Sequence, residues 1–329
     1  MQMVGAANTR EGAVWLTETN QGYALTSMGS FSPSDAEKGM LYFLSKTPSQ
    51  SSRILIDSLK RPVHTALADL NGDNFFDFVT CEFAKWTGKL TWWKNDGYGN
   101  LRPNVLRNMP GAIKAYTHDL NKDSLLDIIA LFGQGDEGIF AYYNEGNDKF
   151  REERLLQFPP SYGSSFFDLF DYDGDGDLDI IYTNGDNADY PPINKPYHGI
   201  RIFENNGNSQ FKEVLFYPLQ GAYQAIPKDF DQDGDLDIAA ISFFPDFQQR
   251  PEESFVFLEN QGDWQFKAQT FPQNNLGRWL VMDTGDLDKD GDLDILLGSL
   301  TLEVIPDLGL VDQWIAKGIP FILLENLKK

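Results

Sequence analysis

Five stretches of the chain set oxygen ligands at relative positions 1, 3, 5 and 9. The most regular is Asp171-Tyr172-Asp173-Gly174-Asp175-Gly176-Asp177-Leu178-Asp179. Four carboxylates held this close (Asp171, Asp173, Asp175 and Asp179) repel one another, and an oxygen-only donor set relieves that repulsion best around a hard cation, Ca²⁺. Gly176 at position 6 supplies the positive φ that turns the chain round an ion, and the position 7 carbonyl completes the protein ligands. An EF-hand loop starts the same way but needs a bidentate Glu at position 12 and a flanking helix on each side. Position 12 is Tyr182, inside the apolar run Ile180-Ile181-Tyr182, so this loop joins two strands.

The pattern recurs at Asp69-Asn71-Asp73-Asp77, Asp119-Asn121-Asp123-Asp127, Asp229-Asp231-Asp233-Asp237 and Asp286-Asp288-Asp290-Asp294. Position 12 is Thr80, Ala130, Ala240 or Leu297, never an acid. Successive loops start 50, 52, 58 and 57 residues apart, a period that marks a stacked or radial repeat.

A second signal shows what positions these loops. Asn95-Asp96-Gly97, Asn144-Glu145-Gly146, Asn205-Asn206-Gly207 and Asn260-Gln261-Gly262 each follow a β-rich run, and Leu101, Phe150, Phe211 and Phe266 come four residues after the Gly. Asn and Gly tolerate the left-handed backbone of tight hairpins, so each triplet closes a hairpin. The repeat is therefore strand, acidic loop, buried strand, variable connection, strand, Asn-x-Gly turn, strand. Such antiparallel units imply an all-β fold, a β-propeller of four-stranded blades. Six units are recognisable in a single domain, at about 1–59, 60–110, 111–160, 161–220, 221–275 and 276–329, with a seventh blade left open. The first has no acidic loop. The last lacks a fourth strand, and a strand near Val14-Trp15-Leu16 is one candidate to complete it.

The formal net charge of -22 agrees with this reading. The five loops alone hold 21 Asp, so the acidity sits where the metal would be, and no basic stripe supports nucleic-acid binding. A single cysteine, Cys81, excludes an internal disulfide and reads as a buried thiol in an apolar strand. No run of 18 uncharged apolar residues predicts a transmembrane helix. Met1 to Gly5 does not begin a signal peptide. Loops of this kind fill at millimolar calcium, so an extracellular, cell-surface or periplasmic location is expected, with a natural N-terminus upstream of Met1.

With their Asn-x-Gly hairpins, the loops at Asp171, Asp229 and Asp286 resemble the VCBS / FG-GAP-like repeats of integrin-type β-propellers, over roughly residues 60 to 329. The resemblance implies that each acidic loop joins the first two strands of a blade and binds Ca²⁺. Asn71 and Asn121 replace a charged ligand, and Asn74 and Ser124 replace the position 6 Gly.

Ligand binding is expected on the long connections Thr183 to Gly199, Ser242 to Phe255 and Ser299 to Pro320. The first carries Asp186, Asn187, Asp189, Tyr190, Lys195, Tyr197 and His198, whose amide, carboxylate and aromatic groups suit sugar hydroxyls and ring faces. Arg278 lies where a first strand begins. The leading expectation is a calcium-binding module for carbohydrate or protein. The alternative is a polysaccharide-active, lyase-like enzyme using Lys195, Tyr197, His198 and Arg278. No nucleophile elbow, P-loop or His-rich metal motif is present.

Overall fold

The computed structural model describes residues 12–47, 52–188, 193–262 and 265–327. It falls into two compact units, Met1–Pro160 and Ser161–Lys329. In the first, β1 (Ala13–Glu18), β2 (Gly22–Ser27), β3 (Gly39–Ser45) and β4 (Arg53–Leu59) form one antiparallel sheet in sequence order. The next blade is β5 (Pro62–Ala68), β6 (Asp77–Glu82), β7 (Lys89–Asn95) and β8 (Leu101–Arg107). A third is β9 (Ala112–His118), β10 (Asp127–Phe132), β11 (Gly138–Asn144) and β12 (Phe150–Gln157).

The second unit repeats the plan. Its first blade is β13 (Ser164–Phe170), β14 (Asp179–Asn184), β15 (Gly199–Asn205) and β16 (Phe211–Pro218). Then come β17 (Ala222–Lys228), β18 (Asp237–Ser242), β19 (Phe255–Asn260) and β20 (Phe266–Gln269). The last sheet holds three described strands, β21 (Trp279–Gly285), β22 (Asp294–Ser299) and β23 (Phe321–Leu324). The fold class is all-β, a six-bladed β-propeller.

Strands β6, β10, β14 and β18 are buried at all six positions, which explains why they read as unbroken apolar runs rather than alternating ones. Each is covered on both faces by neighbouring side chains. Val79, Leu90 and Trp92 pack against Ile128, Ala130 and Tyr142 in the first unit. Ile181 and Ile202 pack against Ala225, Ala240 and Leu258 in the second. Burying each such large side chain contributes about 1.5–3 kcal/mol, so packing between sheets dominates the stability. Cys81 belongs to this core, and burial pushes its thiol far above the ordinary range. The outer strand β12 is exposed at most positions, and its Arg and Glu residues face solvent.

The N-terminal strand does not complete the last blade. Strand β1 pairs with β2, Trp15 packs on His64 at 4.5 Å, and the Thr17 hydroxyl donates to the Thr65 carbonyl, which fixes β1 in the first blade. A short helix, α1 (Leu310–Lys317), lies in the connection from β22 to β23. Trp314 anchors it: the indole is buried and donates to the Asn275 carbonyl. No helix among the described residues is long and apolar enough to cross a membrane.

Candidate functional site

The acidic loops connect β5 to β6, β9 to β10, β13 to β14, β17 to β18 and β21 to β22, the first two strands of their blades. One backbone solution serves all five. Position 6 has positive φ in every loop: Asn74 (68°), Ser124 (73°), Gly176 (87°), Gly234 (100°) and Gly291 (98°). Position 4 does too, at Gly72, Lys122, Gly174, Gln232 and Lys289. Two left-handed residues separated by one turn the amides inward onto the carboxylates. The Gly176 amide donates to Asp171 Oδ2 at 3.1 Å, and Ser124 and Asn74 donate equivalently to Asp119 and Asp69 at 2.8 Å. Position 7 donates to position 5, for example Asp177 to Asp175 at 2.8 Å.

In three loops the acids converge. One oxygen each from Asp171, Asp173 and Asp179 lie within 4.8 Å of one another, as do those of Asp229, Asp231 and Asp233, and of Asp286, Asp288 and Asp290. Among the described residues the first two loops form no such group. There the position 3 amide does part of the work: Asn71 Nδ2 donates to Asp73 at 2.8 Å and Asn121 Nδ2 to Asp123 at 2.9 Å. Oxygen-only clusters with little internal neutralisation fit a hard divalent ion, and they fit it best in the last three loops.

The position 9 acids have a second role. Asp77, Asp127, Asp179, Asp237 and Asp294 are almost completely buried. Each accepts the position 2 amide on one oxygen, at 2.6–3.3 Å. The other oxygen accepts the amide of an Asn at or just beyond the end of the third strand, at 2.7–3.0 Å. Those Asn residues are Asn95, Asn144, Asn205, Asn260 and Asn326, so the two repeated signals are halves of one latch. Burial pushes the Asp179 and Asp237 carboxyls up to about 6 even against these hydrogen bonds. A bound cation would offset that desolvation.

The ligand candidates separate. Asp186 is exposed, and its carboxylate accepts the Ala188 amide. Asp189 and Tyr190 lie outside the described residues. Lys195 is half-buried, and Tyr197 stacks on Tyr162 at 5.2 Å. His198 is buried. Its Nδ1 faces the Gly221 amide at 3.4 Å and Gln220 at 3.2 Å, and burial with Lys195 and Arg201 nearby holds its pKa down to about 4. Its buried Nε2 has no hydrogen-bond partner among the described residues.

Asn187 and Arg278, by contrast, line one cleft of about 450 Å³ between the three long connections of the second unit. Its walls include Phe244, Asp246, Phe247 and the segment 302–306. Phe243 is core, whereas its neighbour Phe244 lines this cleft. The 302–306 wall belongs to the connection Ser299 to Pro320, which its length marked in the sequence although none of its residues stood out as a ligand group.

A profile described as FG-GAP-like repeat matches residues 119–182 and 229–297. Each match opens on a position 1 acid and runs through the next acidic loop into the following buried strand. The chain thus carries FG-GAP-like repeats at two places. The FG-GAP-like matches span four of the five loops, including all three carboxylate triads. Comparison with curated protein sequences finds no match.

Proposed function

We propose that this FG-GAP-like propeller is a calcium-stabilised binding module that works outside the cytosol and takes carbohydrate or protein on the long connections of its second unit. The observation that supports the calcium half is the convergence of three carboxylates in each of the loops at Asp171, Asp229 and Asp286. Ca²⁺ there would be held by the position 1, 3, 5 and 9 carboxylates and would neutralise them, tying two strands of a blade together. The loops at Asp69 and Asp119 carry one fewer charged ligand each and would bind more weakly. Sites of this kind fill at the millimolar calcium found outside cells, which is the basis for the location.

The test is thermal unfolding across a calcium titration, with bound calcium counted per chain. Free calcium at a hundred times the dissociation constant stabilises by about 2.7 kcal/mol per site. The midpoint should therefore climb with calcium, and equilibrium dialysis at millimolar calcium should count at least three ions per chain. A midpoint indifferent to calcium and to EDTA would refute the metal half of the proposal.

A further inference from the structure

We propose that the cleft over Arg278 is a carboxylate-binding subsite for an acidic saccharide, a uronate residue. This deepens the binding reading above and rests on it. The argument begins with an unbalanced charge. The Arg278 side chain is 2% exposed. Its Nε donates to the Phe243 carbonyl at 2.8 Å, and Nη1 donates to the carbonyls of Leu302 and Glu303 at 3.1 and 2.8 Å. The guanidinium lies over Phe243 at 3.9 Å and Phe244 at 4.9 Å. None of these partners carries a negative charge.

Two other arginines with little exposure, the half-buried Arg107 and the buried Arg201, are solved differently. Arg107 pairs with Asp136 and Glu152 at 2.6 and 2.5 Å, and Arg201 with Glu213 at 3.2 Å. Among the described residues Arg278 has no carboxylate within 4 Å, and its Nη2 makes no hydrogen bond. Burial correspondingly pulls its pKa down to about 10. A desolvated cation with a free donor on a cleft wall is a preformed half of a charge pair.

The same cleft holds an unmet acceptor. Asn187 is 6% exposed; its Nδ2 donates to the Ile193 carbonyl at 2.8 Å, and its Oδ1 has no partner. A ligand that satisfies both groups brings an anionic acceptor and a hydroxyl or N–H donor on one small body. Two acids line the cleft: Glu303 meets Arg278 through its main-chain carbonyl, and Asp246 is already engaged by Asn194 at 2.7 Å and by the amides of Gln248 and Gln249. Side-chain amides on one wall and Phe244 and Phe247 on another favour a hydroxylated ring carrying a carboxylate over a peptide terminus with an apolar side chain. The volume falls in the ordinary range for small-molecule clefts.

The test uses the full chain in millimolar Ca²⁺ and isothermal titration with three probes: a glucuronate-containing trisaccharide, its methyl ester, and a short peptide with a free C-terminal carboxylate. The acid trisaccharide should bind, and the ester should bind at least about tenfold more weakly because it cannot pair with the guanidinium. Arg278→Lys should lose at least about tenfold for the acid and little for the ester, since an ammonium cannot present the planar fork. Should that variant fail to fold, Asn187→Asp places a negative charge in the cleft and should weaken the acid selectively. Equal binding of acid and ester would overturn the proposal and leave the broader carbohydrate reading standing. Binding of the peptide alone would overturn it in favour of a protein ligand. No binding by any probe would overturn it outright, while the calcium titration decides the metal reading separately.

Discussion

Replacing Asn144 by alanine should destabilise the protein by about 3 kcal/mol, whereas the same change at Asn95 should cost about 1 kcal/mol. The two residues occupy the same place in successive repeats, so helix or strand propensity cannot separate them. Their side-chain bonds can. Asn144 Nδ2 donates both protons, to Leu70 O at 2.8 Å and Leu126 O at 3.2 Å, and its Oδ1 accepts the Gly146 amide at 3.0 Å. The residue is 4% exposed. Each of the three bonds, one buried and two partly buried, is worth about 1 kcal/mol net, and the orphaned groups have little water to turn to. Asn95 makes two such bonds, to Phe76 O and from Gly97, at a half-buried site where water replaces much of the loss. The extra bond of Asn144 reaches the acidic loop of the preceding blade. Neither substitution removes a metal ligand or the backbone amide that holds Asp127 or Asp77. Urea unfolding of both variants, with calcium fixed, measures the difference directly. Equal losses, or a loss at Asn144 under about 1 kcal/mol, would refute the claim that this amide joins neighbouring blades.

Ser124→Gly should stabilise the protein by about 0.5–1 kcal/mol, because Ser124 holds a φ of 73° that glycine adopts freely. Chemical denaturation is the readout, and a loss of stability would show that the serine side chain matters more than the strain. Gly174→Ala is the converse: an added Cβ meets nothing within 4 Å, so its cost, about 1 kcal/mol, should come from the φ of 78° alone. His198 should give the unfolding free energy an acid slope. Its folded pKa of about 4 lies below the ordinary 6.5, so the unfolded chain takes up the proton first, and stability is lost as pH falls from 6.5 toward 4. His198→Gln should flatten that part of the profile, and an unchanged slope would locate the acid sensitivity elsewhere.

The architecture was legible because its signals are local and repeated. Asp at fixed spacing, Asn-x-Gly four residues before an apolar residue, and β-branched runs all act within one blade, and the strands fall where they require. What escaped depended on neighbours distant in sequence. Lys122, Gln232 and Lys289 at positive φ are invisible to a reading that equates this backbone with glycine. The inward carboxylates stabilise the turn there and tolerate the strain. Helix α1 has only eight residues, buries only Trp314 and leaves Ile315 at 65% exposure, so its apolar pattern is too short to stand out in the sequence. Lys195, Tyr197 and His198 were legible as polar and aromatic groups on one connection, whereas the burial of His198 and its neighbours Arg201, Gln220 and Gly221 were not. The setting of Arg278 was equally hidden, since the lack of a carboxylate within 4 Å among the described residues depends on three connections at once.

The latch between each position 9 acid and its Asn has a consequence for how such a chain can change over generations. Its two ends are chemically fixed, yet the chain between them runs 18, 17, 26, 23 and 32 residues in successive blades. Every buried acid carries both of its backbone donors within its own blade, so a duplicated segment arrives with its costliest polar group already satisfied. Insertions between the two ends enlarge the connection from the second to the third strand without touching that bond. Inheritance can thus lengthen these connections freely while the acidic loop of each blade is copied unchanged.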